Sequence, residues 1–312
     1  MKLSCKAQGI APFRLAKNDL ALLSAIGEYQ VLTTRQLAAV SCRSCQVIRR
    51  RIRSLEGQGL LVTKPFGYGM SQGRPEEIAF LSHQGVEYLS INGIAPAPIN
   101  RHKDIRSDTI DHNLLLNWFR IHMIQIERVV PDLSVISLSP WHCLSKYKSI
   151  FTTNIPARQK KGQQNDFIPD GIFVVKNNTS GKALLFFLEV DMNTESMASK
   201  SNNTNNIQHK ILCYQEIYRN GNYKFLKEVI KSGLQGFRLL FLTSTETRVA
   251  ALCRFIQKAQ NSDFIWLSDQ GRMFDHGLSA NIWTRGAKYE NQRESILGPK
   301  YATDLPLMAM IR

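Results

Sequence analysis

The apolar positions follow a helical period in the first stretch of the chain. Leu20, Leu23 and Ile26 recur at helical spacing within residues 17–27, and the run stops at Gly27. A second helix is predicted from Thr33 or Thr34, either of which can cap it. A third is predicted from about Ser44 to Gln58, where Ile48, Ile52 and Leu55 fall on one inward face. The pattern then shortens. Residues 60–63 (LLVT) and 77–81 (EIAFL) read as two strands joined by the glycine-rich KPFGYGMSQGRP, and residues 82–89 close the unit as a short helix. The stretch 92–100 (NGIAPAPIN) has two prolines, a glycine and no charge, which is the composition of a linker.

Beyond it, Ser107-Asp108 opens a helix reaching about Arg128. Its apolar stripe is Ile110, Leu114, Leu115, Trp118, Ile121 and Ile124 or Gln125, with His112 and Asn117 on other faces. Residues 135–138, 172–175 and 183–190 read as strands, the last two joined by a turn through Asn177, Asn178, Ser180 and Gly181. Residues 192–206 read as a loop or frayed helix start. A helix over 207–219 with Ile207, Ile211, Tyr214 and Ile217 or Tyr218 inward, a strand over 237–243, a helix over 245–260 and a strand over 264–267 follow. This alternation predicts an α/β layered core with a mixed sheet behind a separate helical N-terminal unit, a two-domain α+β or α/β chain. The expected boundaries are 1–91, a linker 92–105, a core 106–270 and a tail 271–312. That tail, with Trp283 and the LPLMAM run, reads as a docking or interface segment.

Charge changes the picture of the first unit. The 312 residues hold 40 Lys+Arg against 25 Asp+Glu, a net charge of +15 and a pI near 9.7, which favours a polyanionic partner. On the third helix Gln46, Arg49, Arg50 and Arg53 lie opposite the apolar face. Arg43 and Arg51 add to them, and no acid occurs between Cys42 and Leu55. Lys64 and Arg74 sit in the glycine-rich connection, with Phe66 and Tyr68 near its tip. Three helices followed by a hairpin with a basic loop is the plan of a winged helix-turn-helix, whose third helix enters the major groove of double-stranded DNA. Arg43, Gln46, Arg49, Arg50, Arg53, Lys64 and Arg74 are therefore the candidate DNA contacts, and an inverted-repeat target would suit a homodimer. The competing reading of the arginine face is a solvated surface or a protein contact. Lys146, Lys148, Arg158, Lys160 and Lys161 form a further basic run, fitted either to a phosphate backbone or to solubility.

No apolar run reaches the roughly 18 residues that span a bilayer, and residues 1–13 lack a signal-peptide core, so a cytoplasmic protein with no membrane partner is expected. The six cysteines are scattered, as reduced thiols are. The lone Cys42-x-x-Cys45 has no second pair to complete a zinc site.

Candidate chemistry gathers on the two middle strands. Asp170 precedes one strand, and Glu189 and Asp191 end the next with side chains on the same side. Three such oxygen ligands are what Mg²⁺ or Mn²⁺ takes. Pro169-Asp170 followed by Glu189-Val190-Asp191 resembles the PD-(D/E)XK nuclease core, with Asp191 standing where that family has lysine. The resemblance implies Asp170, Glu189 and Asp191 as metal-binding catalytic acids. It also places glutamine, lysine or tyrosine of the following helix near the site, here Gln208, Lys210 and Tyr214, and Lys210 can restore the missing positive charge.

The combination of winged helix, linker, the His112 helix, Pro169-Asp170-Gly171, Glu189-Val190-Asp191, Thr194-Glu195 and the helix with Lys210 and Tyr214 resembles the replication-relaxation family of bacterial mobile elements. That implies a DNA-binding accessory protein in plasmid replication or in relaxation and mobilisation, with a relaxase or replication protein as partner. An active metal-dependent DNA endonuclease is the alternative, and a transcriptional regulator a further one.

Overall fold

The computed structural model describes residues 15–66, 76–94, 107–140, 143, 168–198, 206–234, 236–286 and 292–306. Arg74, Tyr68, Trp141, the basic run 146–161 and most of the expected linker lie outside them. Two compact units divide the chain at residue 105, Met1–Ile105 and Arg106–Arg312.

In the first unit, short polar side chains start every helix after the first, which follows Ala16 without a side-chain cap. Helix α1 is Lys17–Tyr29. Helix α2 (Thr34–Ser41) opens with a capping box: the Thr33 hydroxyl accepts from the Gln36 amide at 3.2 Å, and the Gln36 side chain accepts from the Thr33 amide at 3.0 Å. Ser44 caps α3 (Cys45–Gly57) and Ser82 caps α4 (His83–Ile91). Strand β1 (Leu32–Thr33), β2 (Leu61–Phe66) and β3 (Glu76–Leu81) form an antiparallel sheet in the order β1-β3-β2. Leu23, Ile26, Leu37, Ile48, Ile52, Leu55 and Leu89 fill the interior. Helix α1 runs two residues past the expected stop at Gly27. Gly27 and Tyr29 are both buried there, and burying Tyr29 outweighs the roughly 1 kcal/mol helix penalty of a glycine.

The second unit begins with α5 (Ser107–Val129) and contains a six-stranded mixed sheet in the order β4-β5-β6-β7-β8-β9. The strands are β4 (Leu133–Leu138), β5 (Gly171–Asn177), β6 (Ala183–Asp191), β7 (Phe237–Thr243), β8 (Ile265–Asp269) and β9 (Thr284–Arg285). Pairs β6–β7 and β7–β8 are parallel and the others antiparallel. Helices α6 (Ile207–Asn220), α7 (Lys227–Ile230), α8 (Glu246–Ile256) and α9 (Gln270–His276) follow, with short 3₁₀ helices at Asn222–Leu226 and Pro299–Tyr301.

Alternation along β6 sorts the layers. Leu185 and Phe187 pack with Ile211, Tyr214 and Ile217 of α6 and Val249 and Leu252 of α8. Phe186, Leu188 and Val190 pack on the other face with Leu115, Phe119 and Met123 of α5. Both faces being covered explains why β6 and β7 read as continuous apolar runs. Helix α5 is buried beyond its expected stripe: Asn117, Phe119 and Met123 are all buried. The segment after β8 also packs on this sheet, with Trp283 fully buried and its indole donating to the Leu278 carbonyl at 3.0 Å. Among the described residues no helix is long and apolar enough to cross a membrane.

Gly85 tests the first unit. A Cβ there would sit 2.2 Å from the Leu60 carbonyl oxygen, so α4 approaches the start of β2 as closely as only glycine permits. Gly85→Ala is expected to cost about 1–3 kcal/mol in urea denaturation. An unchanged midpoint would show that α4 is free to move off Leu60.

Candidate functional site

The register of β5 and β6 assembles the site. Gly171 pairs with Leu188, which sets Asp170 beside Glu189 at one end of the two strands. The Asp170 carboxylate accepts from the Val190 amide at 2.8 Å and meets Nε2 of His112, from α5, at 3.0 Å. Glu189 is almost wholly buried. Its Oε1 accepts from the Tyr214 hydroxyl at 2.6 Å, and its Oε2 lies 2.8 Å from Nζ of Lys210. Lys210 and Tyr214 stand one turn apart on α6, so one helix face delivers both. Lys210 also reaches Glu195 Oε1 at 2.7 Å.

Local structure fixes these positions. Asn206 caps α6 by accepting from the His209 amide at 2.9 Å. The Ile207 and Gln208 amides donate to the carbonyls of Ser196 and Met197, which ties the segment carrying Glu195 to the start of α6.

Asp191 faces a different cation. Its Oδ2 lies 2.6 Å from Nε of Arg248, in the first turn of α8, and its Oδ1 accepts from the Asn193 amide at 2.9 Å. Arg248 also donates to the Glu195 carbonyl.

The electrostatics follow from this packing. Burial pushes the Glu189 carboxyl up against the pull of Lys210. Burial likewise opposes charge on Lys210, yet Glu189, Asp170 and Glu195 together hold its ammonium well above the ordinary lysine range. With two carboxylates within 2.8 Å, the ammonium keeps its proton. For Asp170 burial acts upward, but the bond and charge of His112, then Lys210 and the Val190 amide, bring it below the usual carboxylate value. For His112 burial acts downward, and the bond and charge of Asp170 more than reverse it.

A divalent ion needs several free oxygens at once. Here both oxygens of Glu189, both of Asp191 and one of Asp170 already meet protein donors. Among the described residues, no three His, Cys, Asp or Glu side chains are grouped so as to hold a metal. In this arrangement a divalent ion would have to displace Lys210 or Arg248 to reach these oxygens. The structure brings Asp170, Glu189 and Lys210 together, gives Asp191 to Arg248, and adds His112 and Glu195 as direct participants. Reading the sequence missed Arg248, which lies 57 positions from its partner in a helix with no local mark of the pairing.

The candidate DNA contacts are on the first unit. Arg43, Gln46, Arg49, Arg50 and Arg53 are exposed, and among the described residues no acid forms an ion pair with these four arginines. Arg51 instead braces α1 through Asp19 at 3.2 Å. Lys64 is exposed on β2, with its ammonium 5.9 Å from the Phe80 ring centre.

Among known families, the replication-relaxation model matches residues 23–231, from within α1 to just past α7. Comparison with curated proteins returns no match.

The His112–Asp170 pair predicts a pH dependence. His112 has its pKa raised above 6.5, so its contribution is complete below that value and is lost as pH rises through the higher folded pKa. Asp170 has its pKa lowered below 3.8, so its contribution is lost only as pH falls through that lower folded value. Thermal melts of wild type and His112→Gln should therefore differ most in mildly acid buffer and converge in alkaline buffer. A difference that ignores pH would show that the imidazole is neutral in the fold.

Proposed function

We propose, on the premise that this chain belongs to the replication-relaxation family, that it is a DNA-binding accessory protein in the replication or mobilisation of a mobile element. In this reading the first unit is a winged helix-turn-helix that engages double-stranded DNA. The second is a PD-(D/E)XK-like scaffold whose acid centre holds its own cations and does not cut. The cytoplasm is the place of action, a relaxase or replication protein is the partner, and a homodimer would serve an inverted repeat.

The observation that carries this reading is the outer face of α3. Its inner face is complete with Ile48, Ile52 and Leu55, and Arg51 is used on Asp19, whereas Arg49, Arg50 and Arg53 are exposed and form no ion pair among the described residues. Like charges one turn apart repel, and a phosphate backbone relieves that repulsion. Exposed Gln46, a turn before Arg49 and Arg50, gives the same face a group able to read a base edge. A transcriptional regulator would use only this first unit of the molecule.

A second reading, a metal-dependent endonuclease, is favoured by one contact. Lys210 brings an ammonium to Glu189 from the helix, which supplies the positive charge that Asp191 cannot. It requires a divalent ion to take Glu189 from Lys210.

Arg49→Ala combined with Arg53→Ala is expected to weaken binding to a duplex and to lower the slope of log affinity against log salt by about two units. Fluorescence anisotropy across a salt series measures both. An unchanged slope would remove α3 from the interface.

A further inference from the structure

We infer that the second unit carries a groove for single-stranded nucleic acid, on a face of α6 other than the one holding Lys210 and Tyr214. The groove has a volume of about 800 Å³ and runs between α6 and the stretch that follows α8. That is room for a nucleotide or two rather than for a duplex.

Its floor is aromatic. Tyr218 and Phe264 line it with their rings nearly parallel, at 21° and 5.7 Å between centres; the buried Tyr223, outside the lining, also lies nearly parallel to Tyr218, at 25° and 6.0 Å. Parallel rings that far apart are staggered, so Tyr218 keeps 45% of its surface exposed. Leu212, 43% exposed, extends the apolar wall by one and a half turns of α6. So much open apolar surface is costly in water, and a stacked base would cover it.

The rim is cationic and rich in amides. Arg219 and Lys258 are both exposed there, and Asp263 is the one acid among the lining residues. Gln215 donates to the Gln260 carbonyl at 2.7 Å, which fixes the near wall. The side-chain amides of Gln260 and Asn261 offer donors and acceptors of the kind that meet base edges. Stacking surface, two phosphate partners and amides in one groove suit a single strand better than a protein segment, which has no comparable use for both cations.

This site does not depend on the arginine face of α3, and the two are separable by experiment. A labelled oligo(dT) strand and a duplex of equal length are titrated with the full chain and two variants. Arg219→Ala with Lys258→Ala, both exposed positions, should lower single-strand affinity at least about tenfold and reduce its salt slope by about 1.4 units, leaving the duplex unchanged. Tyr218→Leu, which keeps an apolar side chain but removes the ring, should weaken the single strand about fivefold or more. Arg49→Ala with Arg53→Ala should leave the single strand unchanged. The inference is overturned if wild type fails to bind the strand. It is equally overturned if the paired Arg219 and Lys258 variant binds the strand as wild type does, which leaves the groove to a protein segment, or if strand and duplex weaken together.

Discussion

The second unit depends on one buried ammonium. Lys210 holds Glu189 at 2.8 Å and Glu195 at 2.7 Å, with its side chain only 14% exposed. Charges taken that far out of water are costly alone, and losing one partner of such a set costs on the order of 3–5 kcal/mol. The lysine therefore dictates where α6 lies on the sheet. Tyr214 repeats the constraint one turn later by donating to the same Glu189. Arg248 does for α8 what Lys210 does for α6, through Asp191 on the same strand. Both helices of this face are thus pinned to the end of β6 by groups that also neutralise its acids.

That arrangement decides how the chemistry divides. Carboxylates held by protein cations must give them up before a metal ion can bind, so on the proposed reading the centre acts as a structural lock. On the proposed reading, what the protein offers to a partner lies on its surfaces: the exposed arginine row of α3, and the aromatic groove beside α6. The arginines stand outside the core, while the groove is built on it through Ile211 and Phe264 and opens Tyr218 and Leu212 to solvent.

Much of this was legible in the sequence where the signal is local. The period of Ile48, Ile52 and Leu55 identified α3 and the charged face opposite it. Alternation put Glu189 and Asp191 on one side of β6, and the family resemblance singled out Lys210 and Tyr214 on the helix that follows. What failed was long-range. Strand alternation says which side Asp191 faces and not which cation awaits it, so the Arg248 pairing was hidden. Strand β1 has two residues, too few to show a period, and exists only through pairing with β3. Gly27 read as a stop because the burial of Tyr29 cannot be seen locally. The core role of Trp283 is likewise invisible in a stretch with no repeating pattern.

The most direct measurement is plasmid nicking by the purified chain with Mg²⁺ or Mn²⁺ present, run beside Asp170→Ala. The account predicts that supercoiled plasmid stays intact while its mobility on a gel shifts with bound protein. Nicking by the wild type that Asp170→Ala abolishes would contradict it, and would mean that a metal ion displaces Lys210 from Glu189.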